Sequence, residues 1–312
     1  MSSLTKTRIT QFCREILQRF GPADIGFADV GAGGDLKTPW SLLPAESLRT
    51  YGFEPTTPDP NGGPLCISNR NGRATFYVAK DERASSLHRA LESFVARFGY
   101  DGMLVEKAIA VECKTLDDHF AGRYRDIDAL DINVEGHDFQ VLQGGTSLLD
   151  AAIVKLIKIE FELANVYEGQ GYFADIDAFL RARGFTLANL QVDHVRPVTV
   201  KHLYHQGEPL WGKAIYTLPP AEVMRRLAAS GLSDQAKLKR EIATSMALFL
   251  AARLPGHVHD SIRVGEQVGL FTSNEGAELR RRIDVVFRWS RLEVAVAESW
   301  AFASAMPRRF FR

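Results

Sequence analysis

Residues 25–34 read Ile-Gly-Phe-Ala-Asp-Val-Gly-Ala-Gly-Gly. A short apolar run closed at once by Gly31, Gly33 and Gly34 spells a buried strand running into a tight turn. In an open α/β sheet, ligands bind outside the carboxyl ends of the strands, near where strand order reverses. Glycines there let the backbone approach a nucleotide-like ligand with no Cβ in the way. The dinucleotide fingerprint wants a third glycine three residues after the second, but position 36 is Leu36. An acid ahead of Gly-x-Gly, here Asp29, instead suits a cofactor with a cationic end.

Outward from this turn, a helical stretch leads to a second strand near Leu48–Phe53, which stops at Glu54-Pro55. Glu54 lies 21 residues beyond Gly33, where a carboxylate can accept both hydroxyls of a ribose. Ahead of the turn, Ile9, Phe12, Cys13, Ile16, Leu17 and Phe20 recur at helical spacing up to Gly21-Pro22, which predicts a helix over 9–20 packed on the sheet. After Asn71-Gly72 an alternating edge strand is expected at 74–78. Further strands are expected at 108–113, 127–134, 153–161, 185–190 and 211–218, and helices at 138–143 and 175–183. Strands alternating with helices predict an α/β, Rossmann-like domain over 1–218, a mostly parallel sheet with helices on both faces.

The stretch Asp131-Ile132-Asn133-Val134-Glu135-Gly136-His137 ends the strongest interior strand. A continuing strand sends alternate side chains to one face, so Asn133, Glu135 and His137 are expected to project together as a catalytic group. An imidazole, with an unperturbed pKa of about 6.5, makes His137 the expected base and Glu135 its orienting partner. Asn133 can act only through its amide. Glu160 and Glu162, at the end of the next strand, are further candidates to reach an acceptor, or else loop-anchoring carboxylates.

Together these pieces resemble the FkbM family of S-adenosylmethionine (SAM)-dependent methyltransferases. The matching stretches are DVGAGG at 29–34, GFEP at 52–55, SSL at 85–87, KTLDDHF at 114–120, INVEGHDFQVLQGG at 132–145, IKIEFE at 157–162 and YFADIDAFLRARGFTL at 172–187. The resemblance implies a class I methyltransferase fold, SAM as cofactor and O-methylation of a hydroxyl on a glycan or natural product. Carried over, Asp29, Gly31 and Gly33 would line the methionine end and Glu54 would hold the ribose. Ser85-Ser86 and Asp117 would border the adenine side or support it. Two departures stand out: Asn133 replaces the usual Asp, and the glycine loop continues as Gly33-Gly34-Asp35 where the family has Ala-Asn-x-Gly.

The 312 residues are 46% hydrophobic and 24% charged with zero net charge, which suits a packed globular chain and makes no electrostatic case for nucleic acid. From Pro219-Pro220 the pattern turns wholly helical, and residues 219–312 carry a basic excess that balances the acidic body. This all-helical module should bury Ile283, Val286, Phe287, Leu292, Val294 and Trp300 against the body or a second subunit, which opens a route to a homo-oligomer. Cys13, Cys66 and Cys113 make no disulfide framework, and His194, His202 and His205 lack ligand spacing, so no metal is expected. No stretch reads as a signal peptide or a membrane span, and the expected location is cytoplasmic. Two other readings stay open: a SAM-binding scaffold with lapsed chemistry, which Asn133 keeps alive, and a nicotinamide-dependent oxidoreductase, which Leu36 disfavours.

Overall fold

The computed structural model describes residues 3–21, 24–56, 65–200 and 206–287. The chain divides into two compact units, one formed by 24–35 with 48–226 and the other by 1–23, 36–47 and 227–312. The first is the sheet unit. Strands β1 (Ile25–Val30), β2 (Leu48–Phe53), β6 (Ala129–Ile132) and β7 (Leu156–Glu162) run parallel in the order β2-β1-β6-β7. Beside β7 lie β9 (Glu208–Thr217) and then β8 (Thr186–Val195), both joined antiparallel. The sheet is thus Rossmann-like and mostly parallel, with an antiparallel edge.

The interior strands β1 and β6 are buried nearly throughout, as a parallel strand covered on both faces requires. Edge strand β8 carries exposed Leu190, Gln191 and His194 instead. Strands β3 (Cys66–Ile67), β5 (Val105–Lys114) and β4 (Gly72–Ala79) form a second sheet in the order β3-β5-β4. At the amino end of the main sheet, buried Lys155 pairs with Asp128 at 2.5 Å, and the other oxygen of Asp128 accepts the Gly26 amide at 2.9 Å. That ion pair ties β1, β6 and β7 together at the end opposite the glycine turn.

Helices α2 (Glu92–Phe98), α3 (Leu116–His119), α4 (Asp138–Gln143), α5 (Thr146–Ala151) and α6 (Phe173–Arg181) complete the sheet unit, and α7 (Pro220–Ala229) runs out of it. The helix expected between β1 and β2 is absent. Residues 40–42 and 45–47 form two 3-10 turns instead, since Pro39 and Pro44 each withhold an amide from any longer helix.

The second unit is helical. Helix α1 (Ser3–Phe20) buries the expected stripe of Ile9, Phe12, Cys13, Ile16, Leu17 and Phe20, yet it belongs here and not with the sheet. Its partner is α8 (Gln235–Ala251), whose residues 242–251 are all buried. A helix apolar all round must be covered on every side, and α1 and α9 (Pro255–Gln267) both pack on it. The Cys13 thiol donates to the Ala247 carbonyl at 3.5 Å, and Phe20 meets Phe271 at 4.9 Å. Residues 273–287 are helical and bury Ile283. Of the tail's other expected core residues, Leu292, Val294 and Trp300 lie outside the described residues, as do His202 and His205. Among the described residues no helix is long and apolar enough to cross a membrane.

Candidate functional site

The chain leaves β1 for β2 on one side and returns to β6 on the other, so strand order reverses between β1 and β6. Their last paired residues are Val30 and Ile132, and the Asn133 amide donates to the Val30 carbonyl at 3.0 Å. Gly31 follows with φ +92°, and a Cβ on it would stand 2.0 Å from the Asn133 carbonyl oxygen. Only glycine allows this close approach. The amides of Gly31 and Ala32 donate to the Phe53 carbonyl at 3.0 and 3.3 Å, which draws the end of β2 alongside. Glu54 comes next, half-buried, with its carboxylate held by the Thr56 amide and hydroxyl at 3.1 and 2.8 Å. The structure therefore brings Asp29, Gly31, Gly33, Glu54 and Asn133 to one end of three adjacent strands.

SAM has a cationic amino acid end and a ribose, and this corner fits both. A Cβ on Gly33 would come no nearer to a neighbour than 3.9 Å, and one on Gly34 would meet nothing within 4 Å, so the turn offers an open cradle. Glu54 and Asp29 supply the carboxylates. Asp29 stands in register with Asp131, and Asp131 with Lys158, whose amine pairs with Asp131 at 2.7 Å. Ser86 and Asp117 each bind neighbouring backbone. The buried Ser86 hydroxyl meets the Glu135 carbonyl at 2.7 Å and accepts from the His88 amide at 3.0 Å. Both oxygens of Asp117 accept amides at the start of α5, from Ser147 at 2.9 Å and Leu148 at 2.7 Å.

The expected alternation of Asn133, Glu135 and His137 does not occur. Strand β6 ends at Ile132, and Glu135 and Gly136 take φ of +55° and +84°, which turns the chain out of the extended form. The Asn133 amide nitrogen donates to the Glu160 carboxylate, 3.3 Å from Oε1. Glu135 accepts the Tyr167 hydroxyl at 2.7 Å. Tyr167 packs so close that a Cβ on Gly136 would lie 2.4 Å from its ring. His137 turns elsewhere: Nε2 meets the Ser68 hydroxyl at 3.0 Å and Nδ1 meets His88 at 2.8 Å. Burial above all, then the charges of His88 and Arg70, pushes its pKa down to about 3. His137 also lines a different cavity, of about 700 Å³, with Arg70, Arg73 and His88.

Glu135 opens instead onto a cavity of about 320 Å³ shared with Glu160, Glu162, Tyr167, Tyr100 and Trp211. Burial, reinforced by Glu135 and Asp138, pushes the Glu160 carboxyl up to about 8. Burial and Asp138 hold Glu162 well above the usual carboxylate range. Asp138, pushed up to about 7 chiefly by burial, accepts the amides of Val134 and Gly136 at 3.2 Å each and so shapes the turn. Among the described residues no cluster of His, Cys, Asp and Glu is placed to hold a metal ion.

Sequence reasoning finds Glu160 and Glu162 but misses Tyr167, Tyr100 and Trp211. The charged positions Lys158, Glu160 and Glu162 fall at every second residue of an otherwise apolar strand, the mark of one polar face. No comparable local pattern announces the three aromatic rings, which come from distant segments.

Residues 38–187 match the family model described as the methyltransferase FkbM domain. Among solved structures, two crystal structures of magnesium protoporphyrin IX methyltransferase from Synechocystis PCC 6803 are similar. The one with bound SAM is 12% identical over 68% of this chain and 78% of that one, with a TM-score of 0.27. The one with bound SAH is 11% identical over 68% and 82%, also with a TM-score of 0.27. No curated protein matches the sequence. The likeness to the methyltransferase FkbM domain thus spans residues 38–187, a little under half of the chain.

Proposed function

We propose that the protein uses SAM to methylate a hydroxyl of a glycan or natural-product acceptor seated in the acidic cavity. The observation that carries this is the double engagement of Asn133. Its backbone closes on the Gly31 turn, and its amide holds Glu160, so cofactor cradle and acidic cavity meet at one residue. When bound, SAM supplies a sulfonium methyl group for in-line displacement.

The rest falls to the chain's own residues. Glu54 and Asp29 hold the cofactor's polar ends. The cavity walls fix the acceptor, and such positioning contributes roughly 7–11 kcal/mol. Glu160 accepts the hydroxyl proton, for which a pKa of about 8 suits a base working near neutral pH. Asn133 fills the position where the family has Asp and orients Glu160 without itself titrating. His137 is set aside as base because both ring nitrogens are engaged and burial disfavours its protonation.

Cys66 and Cys113, paired in register across β3 and β5 as free buried thiols, support a cytoplasmic, reducing setting. The test is incubation with methyl-labelled SAM and a panel of polyhydroxylated acceptors. Label on an acceptor oxygen with matching SAH is expected. SAM binding with no SAH from any acceptor would favour the lapsed-scaffold reading.

A further inference from the structure

Three carboxyl groups, Glu135, Glu160 and Glu162, share one cavity of about 320 Å³. Glu135 has the Tyr167 hydroxyl, and Glu160 has the Asn133 amide and the Lys213 amine at 3.8 Å. Glu162 is only 3% exposed and lines the cavity, and its carboxyl is held by its own backbone amide with no side-chain donor or cation on it among the described residues. The nearby cations are otherwise occupied: Lys158 pairs with Asp131, and Arg83 sits at the rim on Asp81. A buried carboxyl with no counter-charge is costly to ionise unless a cation arrives to pair with it.

The remaining wall is aromatic. Tyr100 and Trp211 meet at 5.3 Å in an edge arrangement, and Tyr167 lines the same space. Ring faces attract cations and carboxylates complete the pairing, so the chemistry of this wall is that of an ammonium site. We infer that the acceptor brings the missing charge: it carries a protonated amine, seated on Glu162 against these rings, beside the hydroxyl offered to Glu160. An amino sugar or an amino alcohol with a ring meets that description, and a phosphorylated or carboxylated acceptor is repelled. The hydroxyl half of this description rests on the proposed methyltransferase activity, whereas the amine site stands on the cavity alone.

The protonation balance points the same way. Glu162 faces Glu160, Glu135 and Asp138, with Lys158 and Lys213 on the same sheet and the Tyr167 hydroxyl opposite. Burial first, then the crowding of Asp138, Glu160 and Glu135, holds its carboxyl well above the usual carboxylate range and so favours the protonated form. A bound cation reverses that preference, and the proton leaves to solvent as the amine docks.

The experiment is calorimetry of the full chain at pH 7.5 with matched probes: glucosamine, galactosamine and tyramine, each against its N-acetyl derivative. At least one amine should bind about tenfold or more tighter than its acetylated partner, since it forms a charge-assisted pair the amide cannot. Its heat should differ between phosphate and Tris buffers, the mark of a released proton. Glu162→Gln should abolish the preference, and Tyr100→Leu should weaken it, with SAM affinity as the check on folding. The inference is overturned if no amine outbinds its acetylated partner, or if the preference survives in folded Glu162→Gln. Turnover of acetylated acceptors without amine preference would keep the methyltransferase reading and remove this one. Amine binding without SAM binding would do the reverse.

Discussion

Replacing Glu160 by Gln should stabilise the fold in alkaline solution while removing the activity. The Glu160 carboxyl rises from an ordinary 4.5 to about 8 because burial and the neighbouring Glu135 and Asp138 disfavour its charge. Between these two values the folded protein holds a proton that the unfolded chain has released. Stability therefore falls as pH rises through that window, and the loss is complete above about pH 8. At about 1.36 kcal/mol per unit, the full shift corresponds to about 5 kcal/mol, a ceiling because Glu135 and Asp138 share the same repulsion. Gln fills the same space and carries no charge, so it escapes this cost.

Thermal melts of the parent and Glu160→Gln at pH 5 and pH 8.5 read the effect. At pH 5 the two should melt within a degree or two of each other. At pH 8.5 the variant should melt higher, by about 2–4 °C for each kcal/mol recovered. In the same variant, turnover should drop by roughly 10²-fold or more. The parent's kcat/KM should climb toward a plateau above about pH 8 as Glu160 ionises, and that limb should vanish with Gln. A melting difference that is equal at both pH values, or a variant less stable at pH 8.5, would show that no buried charge is being relieved.

Glu54→Ala should weaken SAM binding at least roughly tenfold, since each hydrogen bond to a charged group contributes about 1.5–3 kcal/mol; unchanged affinity by calorimetry in a folded variant would remove the ribose assignment. His137→Ala should lower turnover less than about tenfold and leave the alkaline limb in place, because its ring nitrogens face Ser68 and His88; a loss beyond about 10²-fold with intact SAM binding would return the base role to it. Deleting residues 230–312 removes α8 and uncovers Ile9, Phe12, Ile16 and Leu17 on α1, so the shortened chain should aggregate in size-exclusion chromatography; a soluble monomer would refute the pairing of α1 with α8.

What the sequence discloses and what it hides divide by the range of the interaction. The strand at 25–30, the glycine turn and Glu54 after the next strand are legible because each rests on neighbours a few residues apart. The catalytic stretch misleads because alternation assumes an extended backbone, and two successive positive φ values at Glu135 and Gly136 end it. Gly136 is visible in sequence, but its reason is Tyr167, thirty-one residues away, whose ring occupies the space a Cβ would need. Asp117 lies in a family motif, and its oxygens serve the amides that open α5, thirty residues on. Helix α1 shows its apolar stripe plainly and conceals its partner, since a stripe specifies an apolar surface and not which one. The acidic cavity gathers these cases at one place. Lys158, Glu160 and Glu162 declare a polar face on β7, but only the fold brings Glu135 and three rings against it. A carboxyl group in that setting is not a surface anchor. Its surroundings raise its pKa, so that it gives up its proton to solvent when a cation docks or, once ionised, takes one from a substrate.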